Sequence, residues 1–143
     1  MKRVEFTVPG EPRGKGRPRF RRVGNYVQTY TPDETASYEN LVKVEYQNQC
    51  AYMFDREDPL TMQIIAYYGI PKSVSKKKRN QMLDGEILPL KKPDADNVLK
   101  VIADALNGVA YHDDVQLVTV HIDRAYADVP RVEVTIISND LEF

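Results

Sequence analysis

Apolar Val4, Phe6 and Val8 alternate with polar neighbours and stop at Pro9-Gly10, which predicts a strand over residues 3 to 8 closed by a turn. Residues 11 to 25 carry Pro12, Gly14, Gly16, Pro18 and Gly24 and predict an irregular loop that orders on binding. Tyr26 to Tyr30 predicts a short strand. In Thr31-Pro32-Asp33-Glu34, an N-cap, a proline suited to the first helical position and two acids favoured by the dipole mark a helix start. That helix is expected over 32 to 51, with Tyr38, Leu41, Val42, Glu45 and Gln49 forming the stripe that faces a sheet. Leu60 to Ile70, rich in β-branched and aromatic residues and ended by Gly69 and Pro71, predicts a central strand. A short serine-capped helix over 73 to 82, a turn at Asp84-Gly85 and a loop over 89 to 93 follow.

Asp96 to Asn107 has a clear helical period, with Val98, Val101, Ile102, Ala105 and Leu106 on one arc and Asn107-Gly108 as the stop. Within 115 to 122, Val118, Val120 and Ile122 alternate; Val132 to Ile136 does so again after a turn at 128 to 130. The two predict an antiparallel hairpin. Strands and helices are interspersed without a regular βαβ rhythm. The expected class is therefore mixed α/β (α+β), one domain over 1 to 143, with a sheet of about four or five strands and helices packed on it.

Composition narrows the function. A hydrophobic fraction of 42% with 29% charged residues excludes a wholly disordered chain. No apolar run approaches the roughly 20 residues of a membrane span and no signal peptide is legible, so no membrane role and a cytoplasmic location are expected. Cys50 is alone and reads as a small buried hydrophobe, and no Cys/His spacing suits zinc. His112 and His121 receive no role.

The net charge of −1 hides a segregation. Residues 1 to 22 hold Lys2, Arg3, Arg13, Lys15, Arg17, Arg19, Arg21 and Arg22 against Glu5 and Glu11. A second run, Lys72, Lys76, Lys77, Lys78 and Arg79, contains no acid. Such clusters attract a polyanion through counterion release. In the first run Gly14 and Gly16 allow close approach to a phosphate, and Phe20 and Tyr26 are candidates for stacking. Nucleic acid is the leading partner.

The candidate chemistry lies in Lys91 to Lys100 and in Tyr111-His112-Asp113-Asp114, two segments flanking one helix. Asp94 and Asp96 are expected on an extended approach, where a spacing of two puts both carboxylates on one face. Lys100 and Asn97 fall on the polar side beside them, and a short strand after Gly108 would bring Asp113 and Asp114 to the same end. Clustered carboxylates repel unless a cation neutralises them, and an all-oxygen set suits Mg²⁺ or Mn²⁺. The same residues also read as an N-cap, a turn and a surface ion pair, in which case the chain is a non-catalytic nucleic-acid-binding module.

V-P-G-E-P-R-G-K-G-R-P-R-F at 8 to 20, Y-T-P at 30 to 32, K-K-K-R at 76 to 79, K-P-D-A-D-N-V-L-K at 92 to 100, I-A-D-A-L-N-G at 102 to 108 and D-D-V-Q at 113 to 116 occur in that order. Together they resemble the RusA family of Holliday-junction resolvases, endodeoxyribonucleases of bacteria and their prophages. The resemblance spans nearly the whole chain and implies a dimeric, Mg²⁺-dependent nuclease acting on four-way junction DNA. Matched by position, Asp94, Asp96 and Asp114 would be the metal-binding acids, Lys100 the catalytic lysine, and Asp113 and Asn97 supporting residues. Arg13, Lys15, Arg17, Arg19, Arg21, Lys76, Lys77, Lys78 and Arg79 would contact DNA. Ala95 stands where a larger apolar residue is common, and Arg124, near Tyr126, where lysine is usual. Two symmetric nicks need two acid clusters, which a two-fold homodimer supplies. The tyrosine-rich stretches 38 to 54 and 67 to 68 are candidate dimer surfaces.

Overall fold

The computed structural model describes residues 1–16, 19–30 and 33–139. Strand β1 (Arg3–Pro9) is followed by β2 (Arg19–Val23), β3 (Tyr26–Tyr30), helix α1 (Asp33–Gln49), β4 (Leu60–Gly69), α2 (Lys76–Leu83), α3 (Ala95–Leu106), β5 (Leu117–Ala127) and β6 (Arg131–Ser138). Four strands make a mixed sheet in the order β1-β6-β4-β5, and β2 pairs with β3 alone. The mixed α+β class is that expected. Thr31 and Pro32, read as the helix start, lie outside the described residues.

One sheet face is apolar. Val4, Phe6 and Val8 of β1, Val132, Val134 and Ile136 of β6, and Leu60, Met62, Ile64, Ala66 and Tyr68 of β4 are all buried there. Helices α1 and α3 cover it with Tyr38, Val42 and Tyr46 and with Val98, Val101, Ile102, Ala105 and Leu106. Each large side chain so buried contributes about 1.5–3 kcal/mol. Phe6 and Tyr46 meet edge to face at 5.2 Å. In α1 the inward stripe ends on Tyr46 and not on the expected Gln49, whose amide instead bonds the Thr7 backbone at 2.9 and 2.8 Å.

β5 and β6 do not form the expected hairpin. β4 lies between them, parallel to β5 and antiparallel to β6. Local alternation specifies a strand but not its neighbour, and the long apolar β4 takes the place where both of its edges are paired. Residues 128–130 step across the end of β4, about 9.5 Å between strands two places apart. At that end the Gly69 N–H donates to Glu11 Oε1 at 3.0 Å and the Gly10 N–H to the Pro130 carbonyl at 3.2 Å. A register shift near Leu60 leaves Val118 60% exposed, so Leu117, Val120 and Ile122 form the inward set instead of Val118, Val120 and Ile122.

Two further expectations change. The basic segment is a paired strand over Arg19–Val23, and its preceding stretch is docked on the helices, as described below. Tyr38, Tyr46 and Tyr68 are core residues, whereas Tyr52 and Tyr67 are half-buried, Tyr67 beneath the Arg131 guanidinium at 4.1 Å. Cys50 is half-buried, not buried, its Sγ 3.2 Å from the Glu5 carbonyl oxygen. Among the described residues no helix is long and apolar enough to cross a membrane.

Candidate active site

Helix α3 organises the candidate residues. Asp94 has extended backbone, and its carboxylate accepts from the Asn97 N–H at 3.0 Å, capping the helix. The cap lets α3 begin at Ala95, so Asp96 sits inside the first turn. Asp94 and Asp96 therefore do not share the expected extended approach: Asp94 keeps extended backbone at the cap and Asp96 is helical. Asp96 Oδ2 instead meets Lys100 Nζ one turn on, at 3.0 Å. With side-chain exposures of 68% and 57% this pair is worth only about 0.3–0.5 kcal/mol, so Lys100 exchanges partners cheaply.

Asp104 continues the same row, a turn beyond Lys100. Lys100, Asp104 and Asp114 line one cleft of about 260 Å³, floored by Leu99, Ala103, Leu117 and Val120. Asp104 carries no signal in the composition of its segment; only the spacing 96, 100, 104 reveals it.

Asp113 and Asp114 are delivered by a 3₁₀ turn, Asp114–Gln116, and not by the expected short strand. Asp113 Oδ1 accepts from the Val115 N–H at 2.9 Å, and Gln116 Oε1 accepts from the His112 and Asp113 N–H groups at 2.9 and 3.3 Å. This capping box gives Asp114 the geometry of a fixed turn. Buried Gln116 also donates to the Asp55 and Asp58 carbonyls at 2.8 and 3.1 Å, tying the turn to the body. Burial, and then the Asp113 carboxylate, pushes Asp114 above the ordinary carboxyl range; Asn107 acts the other way, and the Asp104 charge adds to the rise.

The N-terminal loop packs on α3. Lys15 N–H donates to the Asn97 carbonyl at 3.1 Å, and Gly16 N–H to Thr35 Oγ1 at 2.9 Å. A Cβ on Gly14 would stand 2.9 Å from Pro93 Cβ and 3.1 Å from Asn97 Cβ, so the close approach requires glycine. Lys15 Nζ bridges Glu39 Oε1 at 2.5 Å and Asp104 Oδ2 at 3.2 Å. Although burial acts to lower it, the hydrogen bonds and charges of Glu39 and Asp104 hold the Lys15 ammonium above the usual lysine range. Arg13, Lys91 and Lys92, with Pro93 and Asn97, line an adjoining cleft of about 650 Å³.

Arg124 holds the approach to the helix. Its Nη1 donates to the Lys91 and Pro93 carbonyls at 2.8 and 3.3 Å, and the Tyr68 hydroxyl donates to Pro93 as well. Burial raises the Tyr68 hydroxyl, with Arg124 pulling against it.

The other basic residues divide. Arg13 and Arg21 are exposed, as are Lys76, Lys77 and Lys78 on α2, whose N-cap Ser75 accepts from Lys78 N–H at 3.2 Å. Arg79 pairs with Asp128. Arg17 lies outside the described residues, and so does the Arg19 side chain.

Among the described residues no three His, Cys, Asp or Glu side chains stand together as a ready metal cage. A hexahydrate-forming ion asks for less. Mg²⁺ keeps several waters and takes one or two carboxylates plus substrate phosphates. The Asp104 charge helps to raise the Asp114 carboxyl across one cleft, a repulsion that a cation relieves, and the donors are all oxygen. The residues present fit a hard divalent ion.

The family model described as endodeoxyribonuclease RusA matches residues 9–137, which include every candidate residue above. The chain is also 37% identical over 136 residues to the uncharacterized protein YqaN of Bacillus subtilis (strain 168), covering 93% of this chain and 94% of that one.

Proposed function

The chain belongs to the endodeoxyribonuclease RusA family, and from that membership we propose that it resolves four-way DNA junctions by Mg²⁺-dependent phosphodiester hydrolysis. It acts as a homodimer in recombination and repair, making paired symmetric nicks. The observation that carries this reading is the position of Lys100, paired with Asp96 on one side and lining a cleft with Asp104 and Asp114 on the other.

When bound, Mg²⁺, or Mn²⁺ in its place, supplies an activated water and neutralises charge at the scissile phosphate. Asp94, Asp96 and Asp114 are the carboxylates assigned to hold it. Lys100 exchanges its weak pair with Asp96 for the phosphoryl oxygens, where an ammonium steadies the charge that develops in the transition state. Asn97 keeps Asp94 oriented through its N–H, and Asp113 keeps the turn that carries Asp114. Arg124 and Tyr68 hold residues 91 to 93, which lead into the cap. Arg13, Arg17, Arg19, Arg21, Lys76, Lys77 and Lys78 neutralise backbone phosphates. Lys15 and Arg79 are engaged with acids of their own chain and act by fixing the loop and α2.

One observation favours a second reading. Asp94 and Asp113 both serve as caps, as a non-catalytic nucleic-acid-binding module would require. The two readings part on Asp96 and Asp114. Conversion of either to Asn abolishes cleavage while sparing junction binding if the chain is a nuclease; in a binding module the substitutions alter stability alone, and EDTA changes nothing.

A further inference from the structure

The β2–β3 ribbon contributes nothing to the core. Its strands pair with each other and not with the main sheet. Residues 20 to 29 are exposed except for half-exposed Val23, and Phe20, Tyr26 and Val27 present 71%, 65% and 63% of their surfaces to solvent. A two-stranded ribbon gains little stability by itself. Apolar side chains gathered on so small an element mark a surface that a partner covers.

Charge identifies the partner. Between Glu11 and Asp33 there is no acid, while Arg13, Lys15, Arg17, Arg19, Arg21 and Arg22 fall in that interval. Register then sorts the ribbon. Arg21 opposes Gln28 and Val23 opposes Tyr26 on one face; Phe20 opposes Thr29 and Arg22 opposes Val27 on the other. Each face thus carries an arginine beside an aromatic ring. A ribbon cationic on one face would lie along a single phosphate backbone, whereas cations on both faces match a slot with phosphate on both walls. The DNA major groove is such a slot, about 12 Å wide, and admits a two-stranded ribbon. Five-residue strands, about 17 Å long, are sufficient to cross it.

We infer that the β2–β3 ribbon inserts into the major groove of a duplex arm, with Arg21 and Arg22 toward opposite backbones and Tyr26 and Phe20 packed along the same two walls beside them. The inference takes its substrate from the junction-nuclease reading and adds the element that grips an arm and the groove it enters.

The test uses the full-length wild type, the double variant R21Q/R22Q and the double variant F20S/Y26S. Each is titrated with a four-way junction over a salt series, and guanine N7 methylation by dimethyl sulfate is mapped in the complex. Loss of two phosphate contacts per subunit lowers the salt slope by about 1.8 for each subunit that engages the junction and weakens binding roughly 60-fold or more at 0.1 M salt. Wild type protects guanine N7 in a duplex arm, and both variants lose that protection with circular dichroism unchanged. Three results overturn the inference: unaltered affinity and slope in R21Q/R22Q, wild-type protection confined to adenine N3 in the minor groove, or a change from dimer to monomer, which would make the ribbon an arm exchanged between copies. Junction cleavage by the wild type, assayed alongside, tests the nuclease reading separately. Its absence sinks that reading and leaves the footprint to decide the groove.

Discussion

The Lys15 ammonium lies 3.2 Å from the Asp104 carboxylate, which joins the basic N-terminal loop to the acid-bearing face of α3. The same nitrogen meets Glu39 on α1, and only a quarter of the Lys15 side chain is exposed. A lysine that reads in sequence as a phosphate contact is therefore a clamp between two helices and a loop.

Lys15→Met should destabilise the fold by about 1.5–3 kcal/mol, the range for hydrogen bonds to charged groups, measured as a shift in urea midpoint. The salt slope of DNA binding should stay near that of the wild type, whereas Arg13→Gln should lower the slope by about 0.9 for each subunit that engages DNA. A slope change in Lys15→Met equal to that in Arg13→Gln would return Lys15 to the phosphate contacts.

Lys100→Met should leave stability within about 0.5 kcal/mol, because its pair with Asp96 is exposed. Its effect belongs to the transition state, and kcat should fall roughly 10²–10³-fold with KM little changed. Single-turnover cleavage of a labelled junction measures this. A loss that appears in KM alone would make Lys100 a binding residue.

Gly14→Ala introduces a Cβ that must displace Pro93 and Asn97, both in the segment that starts α3. The loop should lift from the helix and cleavage should drop about tenfold or more, since misplacement by an ångström near a reacting centre is costly. Gly10→Ala, which meets nothing within 4 Å, serves as a comparison in which any loss comes from backbone strain at φ 95°. Equal cleavage by Gly14→Ala and wild type would remove the docked loop from the site.

Stability should fall in alkali. Burial pushes the Tyr38 hydroxyl up to about 12 and moves Tyr46 and Tyr111 in the same direction, and Lys15 is also raised. Unfolded tyrosines release protons from about pH 10 while the folded chain keeps them. Above that pH the native state binds more protons, so the contribution is fully present below about 10 and is lost as pH rises toward 12. Urea midpoints at steps from pH 8 to 11.5 should decline through that window, and Tyr38→Phe should decline less. A flat profile would contradict the assignment.

The segment proposed to carry the chemistry is legible because α3 has an uninterrupted helical period and an aspartate able to cap it. The Asp96–Lys100 pair follows from that period alone. Inside an apolar arc, Asp104 reads as an ordinary solvated position until its row with Lys100 is drawn. The separation of β5 from β6 was hidden for a different reason. Alternation reports which side of a strand is buried, and nothing in Val132 to Ile136 says that β4 will pair between them. β2 has no legible period of two, because Arg21, Arg22 and Phe20 place polar and apolar groups on both faces. Pro93 suggests a helix that begins later than the Asp94 cap allows, which is why the sequence alone puts Asp94 and Asp96 on one extended face.

The most direct measurement incubates the purified protein with a labelled mobile four-way junction and with the matching linear duplex, each in Mg²⁺ and in EDTA, and maps the nicks. The expected result is a pair of symmetric nicks on the junction in Mg²⁺ and none on the duplex or in EDTA. Binding of the junction without nicks in both conditions would contradict the nuclease and leave a binding module.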